Sequence, residues 1–124
     1  MKTLTLIVAI ALMAGCSAKP PKGSLYWGAY SETLYEYKKA PGSETLAQHK
    51  SQLEDIIQTS EQEGYRIPPG VFIELATLYL KEGKVARAEE MLKREVSLYP
   101  EAAPFVEKLR ATYVQASSDG GLNS

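Results

Sequence analysis

Residues 69–102 read PGVFIELATLYLKEGKVARAEEMLKREVSLYPEA. Val71, Phe72, Leu75 and Tyr79 recur at helical spacing, and Val85, Ala88, Met91, Leu92 and Val96 do so again after a break. The spacing predicts two amphipathic helices, one from about Gly70 to Glu82 and one from about Val85 to Leu98. Gly83 stands between them as the turn residue, and Pro100 ends the pair. Ala76 and Ala88 put small side chains where two antiparallel helices must come close.

The same pattern extends outward in both directions. Upstream, Tyr26, Trp27, Tyr30, Leu34 and Tyr37 fall on one side of a helix drawn from Leu25 to Lys39, with Glu32 and Glu36 on the other. Ala40-Pro41-Gly42 breaks it. Ser43 as an N-cap and Glu44 in the first turn then open a helix to about Glu63, with Leu46, His49, Leu53, Ile56 and Ile57 on its apolar face. Gly64 suits the position after a helix, and Pro68-Pro69 stops any continuation. Downstream, Phe105, Val106, Leu109 and Tyr113 predict a fifth helix over about 103–116. No stretch alternates with a period of two, so the expected class is all-α. The expected folded domain is 25–116, with a polar, small-residue tail at 117–124 expected to be disordered.

Residues 69–102 resemble one tetratricopeptide repeat (TPR), whose 34-residue period is two antiparallel helices. With Pro69 as the first position, Phe72, Leu75, Ala76, Tyr79, Gly83, Ala88, Leu92 and Pro100 take its signature places, and Glu95 departs from it where a small Ala is usual. Shifting Phe72, Leu75 and Tyr79 by one period gives Val106, Leu109 and Tyr113. Trp27, Tyr30 and Leu34 match the same three positions further upstream, as a lengthened, degenerate repeat. The resemblance implies TPR-like hairpins in a right-handed stack, about five helices sharing one core. It also implies a concave groove lined by Glu32 and Tyr35, then Ile73, Thr77 and Leu80, then Glu107, Ala111 and Val114. Of these, Tyr35, Ile73, Thr77, Leu80 and Val114 form the candidate partner groove. Several are apolar where a solvated face would be polar, so they either receive a partner or are covered by tether, tail or neighbouring helices.

The first sixteen residues read MKTLTLIVAIALMAGC. Lys2 precedes an apolar run from Leu4 to Ala14, about half of what crosses a bilayer as a helix, which fits a signal-peptide core. The ending Leu12-Met13-Ala14-Gly15-Cys16 resembles the lipobox of bacterial lipoproteins, with Met13 where that pattern prefers Leu. The resemblance implies removal of 1–15 and acylation of Cys16, followed by a flexible tether through residue 24. Ser17 after the Cys suggests sorting to the outer membrane, with the domain facing the periplasm.

Composition narrows the chemistry. Fourteen Lys and Arg against fifteen Asp and Glu give a formal charge of −1, without the basic surplus that holds nucleic acid. One Cys and one His make a disulfide framework or an ordinary zinc site impossible to assemble within the chain. No metal or cofactor is expected. His49 has no nucleophile motif beside it in sequence, and no phosphate-cradling glycine loop occurs, so the expectation is a non-enzyme.

Together, the lipobox, the run YWGAYSETLY at 26–35, Pro68-Pro69-Gly70 and Leu98-Tyr99-Pro100-Glu101 resemble a family of short bacterial lipoproteins of unassigned function. The family is often encoded beside a lipoprotein similar to the curli-secretion channel protein CsgG and a third small lipoprotein. The resemblance implies an envelope complex, in which this chain would be a periplasmic protein-binding adaptor. The alternative is a pilotin-like chaperone that escorts a secretin or channel subunit to the outer membrane.

Overall fold

The hairpin at 69–102 forms as its spacing requires. In the computed structural model, which describes residues 19–120, the helices are α1 (Tyr30–Lys39), α2 (Ser43–Glu63), α3 (Val71–Lys81), α4 (Val85–Leu98) and α5 (Ala103–Gly120), with one 3-10 turn at Pro100–Ala102. The fold is all-α: no strand occurs among the described residues, and the one β-like feature is a parallel bridge between Leu25 and Arg66. Residues 1–15, Cys16 and the last four residues lie outside the described region.

Two glycines set the chain reversals. Gly64 closes α2 with φ +75°, and Gly83 turns α3 into α4 with φ +73°, a region that a side chain disfavours. After Gly83, the Lys84 N–H donates to Tyr79 O at 2.9 Å and so satisfies a helix-end carbonyl. Consecutive helices run antiparallel, so one end of the bundle gathers the close of α2, the start of α3, the close of α4 and the start of α5. We call this the basal end.

Helix α3 lies at the centre. Val71, Phe72, Leu75, Ala76, Leu78 and Tyr79 are buried on it, and they meet Leu53, Ile56 and Ile57 of α2 and Ala88, Met91 and Leu92 of α4. The α3–α4 pair is the most closely packed. Helix α5 joins through Val106, with Leu109 half-buried beside it.

Four local expectations are corrected. Leu25–Ala29 is not helical, and α1 begins at Tyr30. The reason is long-range: Gly23 N–H donates to Gly64 O, Arg66 N–H to Ser24 O and Tyr26 N–H to Arg66 O, at 2.8–3.1 Å, which holds 23–26 against the α2–α3 loop. Trp27 is consequently 43% exposed instead of core. Phe105 is 57% exposed, because α5 turns its neighbour Val106 inward. The cap of α2 is the extended Gly42, with Ser43 already inside the helix. At the other end α5 continues past Ala116 to Gly120, with Ser117 Oγ donating to Tyr113 O and Ser118 Oγ to Val114 O along the helix.

Candidate functional site

The residues expected to line the groove fall into two groups. Ile73, Thr77 and Leu80 lie four and three residues apart on α3, so they share one side of that helix, opposite its most buried face. All three are half-buried, with Ile73 and Leu80 packing against the core and the Thr77 hydroxyl donating to Ile73 O at 2.9 Å. Tyr35 on α1 and Val114 on α5 stand apart from that strip at 62% and 63% exposure. Lys39 Nζ lies 5.8 Å from the Tyr35 ring centre. The strip is therefore one continuous element, and Tyr35 and Val114 are separate exposed positions on the flanking helices. Glu32, Glu107 and Ala111 are exposed as well.

Beneath α1 sits a polar cluster that joins three helices. His49 of α2 is 2% exposed. Its Nε2 lies 2.7 Å from Glu74 Oε1 of α3, and its Nδ1 lies 2.8 Å from Thr33 Oγ1 of α1. Tyr30 OH donates to Glu74 Oε2 at 2.8 Å. Hydroxyl, imidazole and carboxylate are thus in line, as in a hydrolase triad. A substrate has no approach to this His, since both nitrogens are engaged and the ring is covered. The Thr33 hydroxyl also lies 3.2 Å from Ala29 O and Tyr30 O. It can donate to a neutral His49, or turn to a carbonyl and accept from a charged one. What the cluster does chemically is fasten α1 to α2 and α3. Burial, then the bond to Glu74 and its charge, push the Tyr30 hydroxyl up to about 12.

Glu95, the departure from the repeat pattern, is also structural. It is buried on α4, and its Oε1 accepts from Gly70 N–H at 2.8 Å, at the cap of α3. A carboxylate there complements the positive end of the helix. Its Oε2 has no partner among the described residues. Burial raises the carboxyl above its usual range against the opposing pull of the Gly70 and Phe72 amides. A raised folded-state value means that the unfolded chain releases the proton first, so stability declines as pH rises above the ordinary carboxylate range. Glu95→Gln keeps an acceptor for Gly70 and removes the ionisation. The variant should gain on the parent as pH is raised, read from urea midpoints below and above that range. An equal difference at both pH values would refute the buried-acid account.

Sequence reasoning missed the cleft at the basal end. Glu61, Tyr65, Arg66, Ile67, Arg94, Ser97, Leu98 and Tyr99 line about 430 Å³ between the close of α2 and the close of α4. Tyr99 OH donates to Ile67 O at 2.6 Å, Arg94 pairs with Glu61, and Tyr65 stacks on Tyr26 with ring centres 5.4 Å apart. Helix ends and loops supply these residues, where periodicity carries no signal. A second cleft of about 400 Å³ between α2 and α3 is lined by Leu46, Lys50, Glu54, Leu78 and Glu82 among others. Among the described residues no group of His, Cys, Asp or Glu could hold a metal ion, and no helix is long and apolar enough to cross a membrane.

A family described as a domain of unknown function (DUF4810) matches residues 25–109, which span α1 to α4 and the first half of α5. No curated protein and no solved structure matches the chain.

Proposed function

The chain belongs to the DUF4810 family, and on that premise we propose that it is an outer-membrane lipoprotein, anchored through acylated Cys16, that serves as a periplasmic protein-binding adaptor. The observation that carries the reading is the half-open strip Ile73–Thr77–Leu80 on the helix that also organises the core. A partner seated on that strip bears on a helix already packed against α2 and α4, so little further ordering is needed on binding. The TPR-like register adds Tyr35 and Val114 on either side of it. The reading is of a binding protein and not an enzyme, which fits a sole His whose two nitrogens are spent on Thr33 and Glu74. The partners implied by the lipoprotein resemblance are a CsgG-like lipoprotein and a third small lipoprotein.

Photo-crosslinking in living cells tests this directly. A probe placed at Tyr35 or Leu80 should capture a discrete envelope protein, and a probe at the exposed Glu90 of α4 should not. Mass spectrometry then names the partner. Equal capture at all three positions, or none at Tyr35 and Leu80, would remove the adaptor reading.

A further inference from the structure

Among the described residues seven large apolar side chains stand exposed, and four of them, Leu25, Trp27, Leu98 and Phe105, belong to segments at or leading from the basal end. Their grouping follows from the fold. The bridge pairs Leu25 with Arg66, so both point to the same side of that short ladder, while Tyr26 and Ile67 turn towards the core. Trp27, two residues on, is again outward, with its ring edge-on to Tyr30 at 5.3 Å. Arg66 shares the basal cleft with Leu98. Phe105 lies in the first turn of α5, which starts at this same end. Lys19, Lys22 and Arg66 provide exposed cations there, against the exposed Glu63 and Glu101.

The chain itself says what lies opposite this end. Gly23 is hydrogen-bonded to Gly64, and only six residues, 17–22, separate it from Cys16. Fully extended, that span covers no more than about 25 Å. An acyl group on Cys16 therefore keeps the basal end within one domain diameter of the bilayer. Trp and basic side chains are those that settle at a lipid–water boundary, and a lipid anchor holds most firmly when a second apolar or basic element joins it. We propose that the basal end docks on the membrane surface, with Leu25, Trp27, Leu98 and Phe105 against the lipid and Arg66 at the headgroups. The α3 strip then runs away from the bilayer, open to a partner from the side. The proposal rests on the anchored-lipoprotein reading above.

Trp27 is the chain's single tryptophan and so a built-in probe. The mature protein would be purified with its anchor and reconstituted into phosphatidylethanolamine–phosphatidylglycerol vesicles with brominated acyl chains, after mass spectrometry of its N-terminal peptide. The expected result is an acylated Cys16 and Trp27 emission that is blue-shifted and quenched. The double variant Leu98→Glu and Phe105→Glu, both sites exposed and distant in sequence from the anchor, should lose at least about half of that quenching. Its far-UV circular dichroism should remain that of the parent. Acylated protein with unquenched, solvent-like emission would overturn the docking alone. Quenching unchanged in the double variant would also overturn it, since tether proximity then accounts for the signal. An unacylated Cys16 would overturn the anchored reading and this one with it.

Discussion

Tyr79→Ala should cost about 3–5 kcal/mol and leave much of the protein unfolded under conditions where the parent is folded. The ring is 2% exposed and sits in the middle of the buried face of α3, where α2 and α4 meet it from opposite sides. Truncation opens a cavity that no neighbouring methyl group can fill without moving a helix. The polar environment adds to the loss. Tyr79 OH donates to Glu54 Oε1 at 2.9 Å, Lys50 Nζ stands 4.7 Å from the ring centre, and the Arg87 guanidinium stands 5.0 Å from it. Glu54 and Lys50 belong to α2 and Arg87 to α4, so one side chain ties three helices. Tyr79→Phe separates the two contributions, because it keeps the ring and deletes one hydrogen bond, at about 1 kcal/mol. Urea denaturation followed by far-UV circular dichroism measures both. An alanine variant with the parent's midpoint would show that α3 is not packed between α2 and α4.

How far the sequence foretold this arrangement depends on the range of the interactions. The α3–α4 hairpin was legible because everything that forms it is local: apolar spacing, a glycine turn and a terminating proline. Helix α4 accordingly spans the expected Val85–Leu98, and α2 ends at the expected Glu63, having begun one residue early at Ser43. Leu25–Ala29 was misread because its aromatic spacing imitates a helix while the backbone of Gly23, Ser24 and Tyr26 bonds to Gly64 and Arg66, some forty residues away. Glu95 was visible as a departure from the repeat, but its partner at the cap of α3 was not. His49 was placed on the correct face of α2, yet Glu74 and Thr33 lie on two other helices, and no spacing rule links them. That Ile73, Thr77 and Leu80 share one side of α3 follows from helical spacing alone, whereas the basal cleft, assembled from loops and helix ends, had no periodic signature.

The cluster around His49 gives the second large effect. His49→Ala removes the ring that fills the space beneath α1 and leaves the Glu74 carboxylate with Tyr30 as its remaining bond among those described. Lost packing, with a smaller contribution from a half-buried carboxylate short of one partner, places the cost at about 2–4 kcal/mol. Because α1 is tied to the rest through Tyr30 and Thr33, its amides should lose hydrogen-exchange protection before those of α3 and α4. A cycle with Glu74→Ala should show coupling of about 1–2 kcal/mol, since the second substitution removes the group that the first deprived of a partner. Alkaline titration supplies an independent check. Tyr30 keeps its proton up to about 12 in the folded chain, against 10.0 ordinarily. Between those values the unfolded state has released a proton that the folded state still holds, so stability falls as pH rises through this window. Burial is the largest cause of the shift and survives Glu74→Gln, while the bond to a carboxylate and its charge do not. The alkaline decline should therefore be shallower in Glu74→Gln than in the parent, without disappearing. Identical declines would mean that Tyr30 and Glu74 are not bonded in solution, and α1 would then be held by its apolar contacts alone.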